Sequence, residues 1–155
     1  MKNTFLIITS IASHEHPVLK QFAQETSKRN ISLIVIGDTK SPCNFSLSGC
    51  DFYSVEQQQT LPFHIARSLP FKHYARKNIG YLKAISEGAE IIIETDDDNL
   101  PLEGFWSPRK KEQKVHLLED KGWVNIYKYF SEVNIWPRGF SLENILDKSP
   151  ALEEQ

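Results

Sequence analysis

Three short apolar runs, each halted by a polar or glycine-containing turn, carry the strongest signal in the chain. Phe5-Leu-Ile-Ile-Thr-Ser-Ile11 is aromatic and β-branched without alternation, as in a strand buried on both faces of a parallel sheet; it predicts a first strand ending near Thr9 to Ala12. Pro17 suits the first turn of a helix, and Val18, Leu19, Phe22 and Ala23 share one face before Ser27-Lys28-Arg29-Asn30 closes it. Ile31 to Ile36 predicts a second strand, stopped by Gly37-Asp38 and Pro42. Thr39 to His73 is the least regular stretch, with Pro42, Gly49, Pro62 and Pro70 as punctuation and a short strand expected at Asp51 to Ser54. A helical stripe of Ala75, Ile79, Leu82, Lys83, Ala84 and Ile85 then starts at Tyr74 and runs to Gly88, a suitable C-terminal stop. Ala89 to Thr95 is the third strong strand and leads directly into Asp96-Asp97-Asp98-Asn99.

This order predicts an α/β fold: an open, mostly parallel, doubly wound sheet with flanking helices, whose ligands bind beyond the carboxyl ends of the strands. A chain of 155 residues, 40% of them hydrophobic, has enough apolar side chains for one compact domain over 1–148, with 149–155 as a frayed tail. The 18 basic and 20 acidic residues nearly cancel, so no basic field points to nucleic acid. No apolar run approaches the roughly 20 residues of a membrane helix. The start resembles a signal peptide only superficially, because Thr9 and Ser10 break its apolar part. Cys43 and Cys50 match neither a zinc ribbon nor a redox CxxC and read as free thiols of a reducing, cytoplasmic compartment. Beyond Pro101, Arg109-Lys110-Lys111 with Lys114 reads as a solvated loop face and Trp123 to Phe130 as core-closing aromatics. Trp136-Pro137-Arg138-Gly139-Phe140 reads as a tight turn, and Ser141-Leu142-Glu143-Asn144 as the cap of a last short helix.

Chemistry concentrates at the strand ends. If strand alternation continues through the acidic run, Asp96 and Asp98 project to one side and Asp97 to the other. Two converging carboxylates repel unless a cation lies between them, and oxygen-only ligands favour Mn²⁺ or Mg²⁺ over zinc; a solvated Asp-rich turn is the alternative. Arg76, Lys77 and Asn78 open a helix whose backbone N–H groups, with two cationic side chains, suit a phosphate. Pairing of Arg76 with a carboxylate such as Glu94 is the competing reading. Asp38 follows the second strand, where it suits a ribose or base contact or a turn. His14, His16, His64, His73 and His116 show no metal-ligand spacing, although His14 and His16 follow the first strand. Neither a GxSxG elbow nor a phosphate-binding GxxxxGK[ST] loop is present.

Five ordered blocks, Ile8-Thr-Ser-Ile-Ala-Ser13, Val35-Ile-Gly-Asp-Thr-Lys-Ser-Pro42, Ala75-Arg-Lys-Asn-Ile-Gly-Tyr-Leu-Lys-Ala-Ile85, Glu94-Thr-Asp-Asp-Asp-Asn99 and Trp136-Pro-Arg-Gly-Phe140, resemble the STELLO-type family of proposed glycosyltransferases. The order of strands and acidic motifs is similar, more distantly, to the GT-A glycosyltransferase fold. That resemblance implies a nucleoside diphosphate sugar as partner, UDP-linked in preference to GDP-linked. It assigns Thr9, Ser10, Ile11, Ala12 and Asp38 to the nucleoside, and Arg76 and Lys77, with Asn78 beside them, to the donor. Asp96 and Asp98 would hold Mn²⁺ or Mg²⁺, with Asp96 also toward the ribose or sugar and Asp97 left open. The acceptor, a glycan, lipid or protein, is not specified, and self-association is an option. An acceptor-binding half is not matched after Phe140, so no catalytic base is named, although His116, Glu103 and Glu132 are available. Two alternatives stand beside the metal-dependent transferase: a non-catalytic nucleotide-sugar-binding scaffold, and a sugar mutase or nucleotidyltransferase.

Overall fold

The computed structural model describes residues 3–110, 112, 114–115, 117–118 and 122–147. The chain divides into two units, Met1–Ser107 and Pro108–Gln155. The first contains four strands, β1 (Thr4–Thr9), β2 (Ser32–Ile36), β3 (Asp51–Tyr53) and β4 (Ile91–Glu94), in the spatial order β3-β2-β1-β4. All pairings are parallel, with Ile7 opposite both Ile34 and Glu94. The sheet is therefore an open α/β sheet of Rossmann-like type.

Burial on both faces explains the unbroken apolar runs. Leu6, Ile8, Leu33 and Val35 face one way and pack with Val18, Leu19, Phe22 and Ala23 of α1 (Pro17–Lys28). Phe5, Ile7, Ile34 and Ile36 face the other way and meet Ala66 of α3 (His64–Ser68) and Ile79 and Ala84 of α4 (Lys77–Ser86). Each fully buried aliphatic side chain contributes roughly 1.5–3 kcal/mol, so the two layers drive the fold. Phe105 and Trp106 add to the first layer, their rings 5.7 and 6.1 Å from that of Phe22. On the second face a glycine permits close approach: a Cβ on Gly80 would lie 2.5 Å from Ile7 Cγ2 and 3.0 Å from Ile36 Cγ1.

The stretch 39–73 is more regular than its prolines suggest. It holds α3 and α2 (Val55–Thr60), the latter started by a capping box in which Ser54 Oγ accepts from Gln57 N–H and the Gln57 side chain accepts from Ser54 N–H. Ser54-x-x-Gln57 was the sequence signal for that helix. The helix expected from Tyr74 begins with a 3-10 turn (Tyr74–Arg76) before α4 and is followed by Gly88 at φ +83°. Ile85, expected on its buried stripe, is exposed. β4 is an edge strand, with Ile91 40% and Ile92 36% exposed, so its apolar run does not mark a doubly buried position.

Among the described residues of the second unit there is no strand and no α-helix, only a 3-10 turn at Ile126–Tyr129 and tighter bends. Pro137 to Phe140 forms the expected turn: Phe140 N–H donates to Pro137 O at 3.1 Å, Gly139 has φ +80°, and Trp136 Nε1 donates to Phe140 O at 2.9 Å. Ser141 to Asn144 caps no helix; successive turns run from Ser141 to Asp147 instead. The aromatics expected to close a core are largely at the surface, Trp123 being 53% and Phe130 82% exposed. Lys111 of the basic cluster, His116 and the tail 149–155 lie outside the described residues. No helix among the described residues is long and apolar enough to cross a membrane.

Candidate functional site

Strand order creates the site. From β1 the chain winds through α1 to β2 and β3, then returns to set β4 on the other side of β1, so the winding direction reverses there. A crevice at the carboxyl ends of the strands follows from such a reversal. A cleft of about 410 Å³ occupies this edge. Thr9, Ser10 and Ile11 line it from β1, Ile36 to Lys40 from β2, Lys72, His73, Tyr74 and Arg76 from the approach to α4, and Asp97 from the loop after β4.

A chain of short polar side chains joins these loops. Ser10, 6% exposed, donates its hydroxyl to Asp97 Oδ2 at 2.5 Å and accepts from Ala12 N–H at 3.0 Å. Ser41 Oγ donates to Ser10 O at 3.0 Å and accepts from Asp38 N–H at 2.9 Å. Asp38 accepts from Thr39 N–H on one oxygen and from Lys72 N–H on the other, each at 2.6 Å. That second bond holds Lys72 in a left-handed conformation, φ +55°, rare for a residue with a side chain. His73 Nδ1 accepts from Ala75 N–H at 3.0 Å, which places the proton of the neutral ring on Nε2. Tyr74 stands on the rim, 82% exposed.

Arg76 is the unusual group. It is 1% exposed, yet no carboxylate among the described residues lies within ion-pair distance of it. Its Nε and one terminal nitrogen donate to Gln58 Oε1 at 3.0 and 2.5 Å, and its other terminal nitrogen donates to Leu69 O at 3.2 Å. The Phe71 ring lies 4.9 Å from the guanidinium carbon. Burial lowers the pKa of Arg76 and the negative field of Asp38 opposes that shift.

Of the residues expected to bind the donor, Thr9, Ser10, Ile11, Asp38 and Arg76 come together around the cleft. Ala12 is tied to it through its N–H bond to Ser10. Lys77 and Asn78 are not in its wall: Lys77 Nζ donates to Thr95 O at 3.2 Å and Asp96 Oδ1 at 2.7 Å, and Asn78 Nδ2 donates to Ala75 O at 2.8 Å. Nor does the expected alternation extend through the acidic run, because β4 ends at Glu94 and residues 97–98 form a turn. Asp96 turns to Lys77, Asp98 is exposed, and Asp97 is the aspartate lining the cleft. Glu94 accepts from the Tyr81 hydroxyl, not from Arg76; burial, with this carboxylate, raises the Tyr81 pKa. No cluster of three or more His, Cys, Asp or Glu suited to a metal occurs among the described residues.

Thr39, Lys40, Lys72, His73 and Tyr74 are lining residues that sequence reasoning did not select. All but Tyr74, which opens the 3-10 turn before α4, sit in irregular segments, and the positive φ of Lys72 has no glycine or asparagine to announce it. Glu103 is exposed and His14 and His16 are half-buried, all three outside the cleft, and Glu132, in the second unit, is exposed. Cys43 and Cys50 are free thiols lining a second cavity. Burial, with the nearby Asp51 charge, pushes the Cys50 thiol up to about 12.

No protein-family model matches the chain. It is similar to STELLO1 of Arabidopsis thaliana, described as a probable glycosyltransferase, at 30% identity over 152 residues, covering 90% of this chain and 19% of that protein. STELLO2 of the same plant, described likewise, is 29% identical over 152 residues, covering 90% of this chain and 20% of its own length. The chain thus spans about one fifth of the length of these curated relatives. Over nine-tenths of its length the chain is thus related to the STELLO-type proteins.

Proposed function

We propose that the cleft is the donor site of a glycosyltransferase, binding a nucleoside diphosphate sugar, UDP-linked in preference to GDP-linked. The observation that carries this reading is Arg76, a buried guanidinium with no ion-pair partner among the described residues, in the wall of a cleft at the sheet's reversal point. A buried cation costs several kcal/mol unless an anion or hydrogen-bond acceptors compensate it. Lys40 and Lys72 add positive charge to the same cleft. In glycosyl transfer the bond from the sugar to the diphosphate breaks and negative charge grows on the departing phosphate oxygens. Cations held in place before the reaction stabilise that charge. Ser10, through Asp97, and Asp38, through the backbone of Lys72, hold opposite walls of the cleft in register.

Asp38 and Asp97 also line the cleft, and both repel a diphosphate. A divalent ion resolves that repulsion, and Mg²⁺ is commonly held by one or two carboxylates together with substrate phosphates. Oxygen donors of the acidic loop suit Mn²⁺ or Mg²⁺ in this partial sense. At Asp96 the Lys77 ammonium already provides the counter-charge, whereas neither Asp97 nor Asp98 has a cationic partner among the described residues. Asp97 and Asp98 are therefore better placed as ligands than the pair Asp96 and Asp98. The ion would supply neutralisation of the leaving diphosphate.

Calorimetric titration with UDP and GDP, with and without Mn²⁺, tests the reading. UDP is expected to bind the native chain more tightly with Mn²⁺, and Asp97→Asn to weaken that binding tenfold or more, about 1.4 kcal/mol. Failure of both nucleotides to bind at millimolar concentration would overturn the donor-site assignment. Release of UDP from UDP-sugars, coupled to sugar transfer, distinguishes a transferase from a scaffold.

A further inference from the structure

We propose that Gln58 is a positioning residue that holds Arg76 toward the cleft while leaving its positive charge uncancelled for the diphosphate; this rests on the donor-site reading above. Gln58 is completely buried, and its whole amide is committed. Its nitrogen donates to Gly37 O at 2.8 Å and Tyr53 O at 2.7 Å, leaving its oxygen to take two N–H groups of Arg76 at 3.0 and 2.5 Å. The amide cannot flip, because the reversed group would set N–H against N–H on one side and oxygen against two carbonyls on the other. The ends of β2 and β3, through Gly37 and Tyr53, thereby fix the direction of a guanidinium that belongs to the far wall of the cleft.

An amide does here what a carboxylate would do with a different electrical result. A glutamate in place of Gln58 would accept the same two N–H groups, form an ion pair and cancel the charge of Arg76. With the neutral amide the guanidinium keeps its full charge. Three of its five N–H hydrogens go to Gln58 and Leu69 O, and the remaining two, one on each terminal nitrogen, have no protein acceptor among the described residues. Two such hydrogens are what phosphate oxygens take up from an arginine fork. Asp38, whose oxygens already accept from Thr39 and Lys72, makes no ion pair with Arg76.

Titration of the full chain with UDP and with uridine, which has no phosphate, tests the proposal. Gln58→Glu is expected to weaken UDP binding about tenfold or more while changing uridine binding less than about threefold. In an Arg76→Met background, adding Gln58→Glu is expected to cost UDP less than about threefold further, because the charge to be cancelled is gone. Equal loss of UDP and uridine, or an unchanged UDP affinity, overturns the role of Gln58 while leaving the donor site standing. Failure of the unsubstituted chain to bind UDP overturns both. If Gln58→Glu does not fold by circular dichroism, Gln58→Met decides. It keeps the charge but loses the aim, so UDP is expected to weaken at least threefold with uridine unchanged, and a variant with native UDP affinity overturns the proposal.

Discussion

Substituting Ser10 by alanine removes one oxygen atom from the point where the end of β1 meets the acidic loop. Two hydrogen bonds go with it: the donation to Asp97 Oδ2 at 2.5 Å and the acceptance from Ala12 N–H at 3.0 Å. A bond to a charged acceptor contributes roughly 1.5–3 kcal/mol and a neutral one roughly 0.5–1.5. Asp97 is only half-buried, so water recovers much of the first term, while the partly buried Ala12 N–H recovers less. Alanine fills the remaining space without a large cavity. The expected loss is therefore about 2 kcal/mol, read as a lower denaturation midpoint at unchanged m-value and a Tm lower by about 4–8 °C. UDP affinity is expected to fall about fivefold, since Asp97 must then be ordered by the ligand. A double-mutant cycle with Asp97→Asn should give a coupling of about 1 kcal/mol. Additive effects, or a midpoint within experimental error of the native chain, would refute the idea that this hydroxyl sets the loop.

Gly80→Ala opposes two effects: alanine favours the helix by about 1 kcal/mol, but its Cβ would meet fully buried Ile7 at 2.5 Å and 1%-exposed Ile36 at 3.0 Å, an overpacking of about 1–3 kcal/mol. We expect a net loss of stability in urea titration; a midpoint at or above the native value would show that α4 can move away from the sheet at little cost. For the cysteines, the thiol of Cys50, pushed up to about 12, stays protonated and unreactive at pH 8, while Cys43 is exposed. Iodoacetamide at that pH should modify Cys43 in the native protein and both thiols in denaturant, and rapid native labelling of Cys50 would contradict its burial.

The strands, α1 and the start of the α4 region were legible because burial imposes a pattern on consecutive residues. Both faces of β1 and β2 are covered, so Phe5 to Ile8 and Leu33 to Ile36 must all be apolar, whichever way they point. The same rule does not extend to β4: its isoleucines are as apolar as those of β1, but place in the spatial order, not composition, made it an edge. At the acidic run, alternation holds only while the chain is extended. Once the strand stops at Glu94, a turn decides which aspartate faces inward, and Asp97 takes that position.

The sequence by itself determined the parallel α/β character, the strand ends at which Thr9, Ser10 and Asp38 emerge, and the concentration of acidic and basic groups near one sheet edge. Only the tertiary structure decided how those groups are used. Lys77 is committed to Asp96, Arg76 has no ion-pair partner among the described residues, and Gln58, from the stretch of least pattern, joins Arg76 to the sheet. The physical reason is range. Apolar burial acts on every residue of an element and so leaves a periodic trace, whereas a hydrogen bond between residues 18 apart depends on a few tenths of an ångström and on nothing adjacent in the chain.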